Sequence, residues 1–234
     1  MAETKSVLIV LTSNAKLGDT GKTTGYWAEE FSTPYYALKD AGLEVRVASA
    51  EGGATTIDPG SLAERGQNAE SVERLLDDDD AMALLKDTKP VSTVDAVDFD
   101  AIFLPGGHGT MWDFAENEAL AERVAQIWSC GGAVAAVCHG PAGLVNVHLD
   151  GGAALVDGKK LTAFTDSEER AAGLDGAVPY LLESALREQG AEFRPGEDWA
   201  EQAVRDGRLV TGQNPASAAK VGRLLVEAAR EERR

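Results

Sequence analysis

Basic side chains are scarce in this chain of 234 residues: 22 Lys and Arg stand against 39 Asp and Glu, a formal net charge of −17. So acidic a chain excludes bulk electrostatic attachment to nucleic acid or to an anionic membrane, since both require a basic face. Cysteine is scarcer still, and two thiols exclude a disulfide framework. With only three histidines (His108, His139, His148), a Cys-rich zinc module is excluded as well, and any metal site would need carboxylates. Long apolar runs are missing: none approaches the ~18 residues of a membrane span. The first apolar stretch, Ser6-Val-Leu-Ile-Val-Leu11, is too short for the apolar part of a signal peptide, and no small-residue cleavage site follows it. A soluble, cytoplasmic protein with reduced thiols is expected. What remains is a chain with 44% hydrophobic residues, long enough for a sizeable core.

Short β-branched or small apolar runs alternate with helical patterns. Val7–Leu11, Leu43–Ala50, Asp100–Pro105, Ala133–Val137, Lys160–Phe164 and Leu209–Thr211 read as strands. Tyr26–Asp40, Asn117–Cys130, Pro179–Gln189 and Ser217–Glu232 read as helices, and Thr165–Arg170 as a turn. Within 51–99, Ser61–Leu76, with Ser61 as N-cap, and Asp80–Lys86 read as helices. The acidic run Asp77–Asp80 between them suits a solvated turn with negative charge at a helix start. This alternation predicts an α/β fold, a three-layer α/β/α sandwich of flavodoxin-like form with a mostly parallel central sheet. No repeat or linker appears, so one domain over 1–234 is expected, with 51–99 a helical insertion or cap.

Gly18-Asp-Thr-Gly21-Lys22-Thr23 follows the first strand and imitates a phosphate loop, but the position where that motif requires its first glycine is Lys16. An ordinary loop is expected. Ala135-Ala-Val-Cys138-His139-Gly140-Pro141-Ala142 carries more. A small-residue strand runs into a thiol, then into glycine and a helix start, which is the pattern of a nucleophile elbow. The amides and dipole of that helix would lower the Cys138 pKa. Cys130 has no such surroundings and is expected to be a buried structural thiol. Leu104-Pro-Gly-Gly107-His108-Gly109 ends another strand. The Gly107 and His139 amides could together form an oxyanion hole.

These motifs, with Glu30 four residues before Pro34, Phe164-Thr165-Asp166 and Asp206-Gly-Arg-Leu-Val-Thr-Gly212, resemble the ThiJ/PfpI superfamily, whose fold is that of class I glutamine amidotransferases. The similarity extends from Val7 to about Leu225. The branch it most resembles is that of the glutathione-independent glyoxalases, or glyoxalase III enzymes, also described as stress chaperones. The resemblance implies Cys138 as nucleophile, Glu30 as the proton-carrying glutamate beside it and His139 as the adjacent triad histidine. Glu169 aligns best as the acid that orients His139, with Glu168 and Asp166 as rivals. A partly buried carboxyl next to a thiolate should have a raised pKa, which suits Glu30 for carrying a proton. A glutaminase triad of the usual type needs a histidine near the carboxyl end, and none follows His148.

The implied activity is that of a lyase converting methylglyoxal or glyoxal plus water to lactate or glycolate, with a small reactive dicarbonyl as partner. The resemblance also implies a homodimer, with no metal and no organic cofactor. A deglycase using the same residues, a holding chaperone of the stress response, and a peptidase or amidase are the other classes the motifs admit.

Overall fold

The computed structural model describes residues 4–232. Among the described residues, nine strands run in the order β1 (Ser6–Leu11), β2 (Glu44–Ser49), β3 (Lys89–Pro90), β4 (Ala101–Leu104), β5 (Ala133–Val137), β6 (Lys160–Leu161), β7 (Glu192–Phe193), β8 (Ala203–Asp206) and β9 (Leu209–Gly212). The α-helices are α1 (Ala28–Asp40), α2 (Glu70–Asp77), α3 (Asp79–Lys86), α4 (Thr110–Asp113), α5 (Glu118–Ser129), α6 (Asp166–Ala172), α7 (Leu182–Glu188) and α8 (Ala218–Arg230).

Seven strands form one sheet in the order β3-β2-β1-β4-β5-β9-β8, parallel throughout except for the β8–β9 pair. Every residue of β1, β4 and β5 is buried, as central parallel strands covered on both faces must be. The pleat divides their side chains between two cores. Leu8, Val10, Ile102, Leu104 and Val134 face a cluster containing Leu120, Val124 and Ile127 of α5. Val7, Ile9, Leu11, Phe103 and Val137 face another containing Phe31 and Tyr35 of α1 and Leu225 of α8. The chain winds outward from β1 to β2 and β3, then returns to β4 on the other side of β1. This creates a topological switch point, where folds of this type bind ligands beyond the carboxyl ends of the strands.

Several expected elements differ in extent. The helix expected from Ser61 begins only at Glu70, because Gly66 takes φ +85° and Glu73 accepts from the Gly66 and Asn68 amides, closing a loop ahead of it. Ser61 caps a different helix: its hydroxyl accepts from the amide of Ala28, the first residue of α1. Asp78 caps α3 by accepting from Ala81 N at 2.9 Å. The strand expected over Lys160–Phe164 is two residues long and pairs with β7 in a separate small sheet. The turn expected at Thr165–Arg170 is the start of α6, closed by a capping box between Thr165 and Glu168. The antiparallel edge strand β8 has no counterpart in the sequence reading.

Candidate active site

Three chain segments meet at the carboxyl ends of β1, β4 and β5. After β5, Cys138 takes φ +59°, one of two non-glycine residues with positive φ among those described. A cysteine pays a steric cost in this conformation, so the surroundings must hold it there. They do: Cys138 N donates to Gly212 O at the end of β9, and Cys138 O accepts from Phe164 N, both at 2.9 Å. The elbow expected from the sequence is therefore present. The helix behind it is only a 3₁₀ segment, Gly140–Leu144. Gly140 is required there, since a Cβ would lie 2.0 Å from Leu104 O.

After β4, Gly107 has φ +107°, and a Cβ on it would lie 2.3 Å from Gly25 O. This close passage lets Trp27 N donate to Gly106 O at 3.0 Å, anchoring the start of α1 to the β4 loop. Glu30, in the first turn of α1, is thereby pressed against Gly106 and Cys138: a Cβ built on Gly106 would stand 2.5 Å from Glu30 Oε2 and 2.8 Å from Cys138 Cβ. Pro34 has no N–H to offer the Glu30 carbonyl, so the helix is one hydrogen bond short at this turn. Glu30 is fully buried, and neither carboxyl oxygen closes a regular hydrogen bond. Burial raises its pKa well above the usual carboxylate value, against smaller opposing effects of the nearby Cys138 thiol and Gly106 amide.

On α6, Glu169 reaches back to the same point. His139 Nε2 lies 2.7 Å from one of its oxygens and His108 Nε2 2.9 Å from the other. A carboxylate only accepts, so both histidines present Nε2–H to it. His139 Nδ1 stands 3.3 Å from Cys138 Sγ. Burial pushes the Glu169 pKa up, but its hydrogen bonds to His108 and His139 outweigh this and bring it down to about 2. Burial, with His108 next, lowers the His139 pKa to about 4 against the opposing pull of Glu169. His139 is thus a neutral imidazole at pH 7, with a free lone pair facing the thiol.

Cys138, His139, Glu30, Glu169 and Gly107 are therefore neighbours, and the register question at α6 has a geometric answer. Glu168 faces away, accepting from Trp199 N and Asn214 Nδ2, each at 2.8 Å. Asp166 accepts from the Ser184 hydroxyl at 2.6 Å. Two expectations need correction. Cys138 is buried, and burial followed by the Glu30 carboxyl raises its pKa, overriding the lowering expected from the short helix behind it. Cys130 is exposed beyond the last turn of α5, past the face that Leu120, Val124 and Ile127 bury.

His108 stood in a motif but received no role from the sequence. The signal for it is its place one residue after Gly107, in the turn that follows β4, the strand beside the nucleophile strand. His108, His139 and Glu169 have ligand atoms within 4.8 Å of one another, a set of the type that holds a divalent cation. In the geometry seen, these atoms are hydrogen-bonded to one another. A half-buried carboxyl, Asp113 of α4, accepts from Thr12 Oγ1, Ser13 N and Asn14 N, fixing the loop after β1.

A cavity of about 370 Å³ opens onto Cys138, His108 and His139, walled by Trp27, Phe164, Leu174 and Trp199. Lys22 and Thr23, from the loop that imitates a phosphate motif, also line it. Glu30 is not part of its lining. His148 is exposed and takes no part. Among the described residues, no helix is long and apolar enough to cross a membrane.

Residues 22–228 match the model of the DJ-1/PfpI family. The chain is 35% identical over 224 residues to the glutathione-independent glyoxalase HSP31 of Saccharomyces cerevisiae, covering 92% of this chain and 93% of that protein. It superposes on the structure of the Rapid Encystment Protein 24 KDa of Francisella tularensis with a TM-score of 0.93 at 33% identity, covering 97% of this chain and all of that one. With the structure of glyoxalase III from Candida albicans the TM-score is 0.87 at 32% identity, covering 96% and 97%.

Proposed function

The chain belongs to the DJ-1/PfpI family, and from that premise we propose that it is a glutathione-independent glyoxalase with Cys138 as nucleophile. The observation that carries this reading is the Cys138–His139–Glu169 array on a strained elbow, with Glu30 buried against the thiol.

The Cys138 sulfur adds to the aldehyde carbon of methylglyoxal as His139 Nδ1 takes the thiol proton. Glu169, held ionised, stabilises the imidazolium that forms. The Gly107 and His139 amides hold the developing oxyanion. The resulting hemithioacetal carries the substrate toward Glu30. Glu30, once ionised, removes the proton from the former aldehyde carbon and returns it to the neighbouring carbon, its raised pKa making it the stronger base, while the His139 imidazolium gives its proton to the neighbouring oxygen. One substrate carbon is oxidised and its neighbour reduced, so no outside oxidant is needed. The product of this shift is a thioester, which water cleaves to lactate and free thiol. Glyoxal follows the same course to glycolate. The family likeness supports placing this chemistry in a cytoplasmic homodimer without metal or organic cofactor.

The test is lactate formation from methylglyoxal, without glutathione and in amine-free buffer, by wild type and Cys138→Ser. Steady turnover by wild type and none by the variant supports the reading. Release only from pre-formed amine or thiol adducts would make the protein a deglycase instead.

A further inference from the structure

A three-carbon dicarbonyl does not explain the cavity above Cys138. Its volume of about 370 Å³ falls in the range, roughly 300–1,000 Å³, of pockets that enclose much larger ligands. Its outer wall is aromatic. Phe164 lies against His139 with ring centroids 4.3 Å apart, and Trp199 meets Phe164 edge to face at 5.6 Å. An aromatic track thus runs from the triad to the mouth.

Trp199 is unusual in two ways. It is 52% exposed, although indole gains most from burial. It is also the second non-glycine residue with positive φ, at +64°. Among the described residues, the two strained positions therefore both line this cavity, one with the sulfur and one with the indole. Its strain is held by a dense set of hydrogen bonds. Trp199 N donates to the buried Glu168 carboxylate at 2.8 Å. Beside it, Asp198 accepts from the Ser167 hydroxyl at 2.6 Å, and Ala200 O accepts from Asn214 Nδ2 at 2.8 Å. The segment is fixed in place with a large apolar side chain left open at the mouth, as a preorganised contact surface requires.

We propose that Trp199 and Phe164 form a subsite for an apolar, aromatic substituent, so that the preferred substrates are aryl-substituted 2-oxoaldehydes. The inference rests on the glyoxalase reading and deepens it. The reacting groups are the same: sulfur adds to the aldehyde carbon, the proton moves to the ketone carbon that bears the ring, and water releases a 2-aryl-2-hydroxy acid. The ring packs against Phe164 and the indole while the dicarbonyl reaches Cys138.

The experiment compares initial rates on methylglyoxal and phenylglyoxal, read as lactate and mandelate, for wild type, Trp199→Gly and Val97→Ser. Glycine accepts the positive φ freely, so Trp199→Gly should fold with an unchanged or raised urea midpoint. Val97 is an exposed apolar residue outside the cavity lining and serves as the control. Wild type is expected to show a KM for phenylglyoxal about tenfold below that for methylglyoxal, the scale of one aromatic pair with its burial. In Trp199→Gly the ratio of kcat/KM for phenylglyoxal to that for methylglyoxal should fall by about the same factor, mostly through KM. Val97→Ser should keep the wild-type ratio. Lactate formation with no preference for phenylglyoxal, or a ratio unmoved by Trp199→Gly, overturns the aromatic subsite and leaves the glyoxalase reading intact. No acid from either substrate overturns both.

Discussion

Glu30 and Cys138 sit together in a space where neither is free to ionise cheaply, and this pairing decides what each substitution should do. Glu30→Gln keeps the shape of the side chain and removes only the titrating group. Its methylglyoxal turnover should fall by ~10²–10⁴, the usual worth of a positioned acid–base group, with a melting temperature near wild type. Glu29→Gln, half-buried on the same turn, should stay close to normal in both assays. If Glu29→Gln is the damaging change, the proton is carried from the other face of α1. His108 acts on the same site through Glu169. Its removal takes away one of the hydrogen bonds that hold Glu169 low and one of the effects that hold His139 low. The acid limb of kcat/KM, set by protonation of His139 near pH 4, should therefore move to higher pH in His108→Asn. A limb that stays in place would mean that His108 is electrostatically silent.

At the scale of elements, α6 is the short helix on which the site depends. Its capping box places Glu168 and Glu169 on different sides of the first turn, one holding the Trp199 segment and one holding the histidines. Thr165→Ala removes the cap and should cost about 1 kcal/mol in urea unfolding. Because Glu169 lies in that turn, kcat should drop more than the stability loss alone explains. A stable variant with full activity would show that the triad does not need the cap. The 3₁₀ segment after Cys138 is less tolerant. A methyl group at Gly140 has no room against Leu104 O, so Gly140→Ala should yield little folded protein, seen as lost soluble expression and a lost cooperative melt.

For the whole molecule, the buried charges of the site make stability depend on pH with a definite sign. The Glu169 pKa falls from 4.5 unfolded to about 2 folded, so its contribution is present above 4.5 and is lost as pH falls toward 2. The His139 pKa falls from 6.5 to about 4, so the unfolded chain takes up that proton first, and stability drops as pH falls from 6.5 to 4. Asp113 acts oppositely: burial, against its hydrogen bonds, raises it from 3.8 to about 6, and stability drops as pH rises across that interval. Urea midpoints measured from pH 8 to 3 should show Glu169→Gln losing on the order of 3 kcal/mol at neutral pH and a flatter slope below pH 4.5. Asp113→Asn should steepen the net acid loss between pH 6 and 4 by removing the compensating slope. Parallel curves for wild type and both variants would contradict these assignments.

Local pattern by itself determined the parallel α/β architecture, because central strands buried on both faces must be written as unbroken apolar runs such as Val7–Leu11 and Ala133–Val137. It also marked the elbow at Cys138, since a turn so tight needs the small residues and glycines around it. The family resemblance, not local pattern, narrows the acid on α6 to three neighbours, and the Thr165/Glu168 capping box that sets their directions is written in the sequence of a segment that reads as a turn. Other properties of the site depend on residues brought together from distant parts of the chain. Ser61 looked like the cap of its own helix, yet its hydroxyl completes α1, because tertiary contact brings the open amide of Ala28 to it. The raised pKa of Cys138 comes from enclosure and from Glu30, and a helix start read from sequence carries no information about burial. His108 and His139, whose ring centroids are 4.1 Å apart, also share the carboxylate of Glu169, 61 positions away from His108 in the chain. The aromatic wall likewise requires Trp27, Phe164 and Trp199, three residues with no shared periodicity, to meet over the end of one sheet.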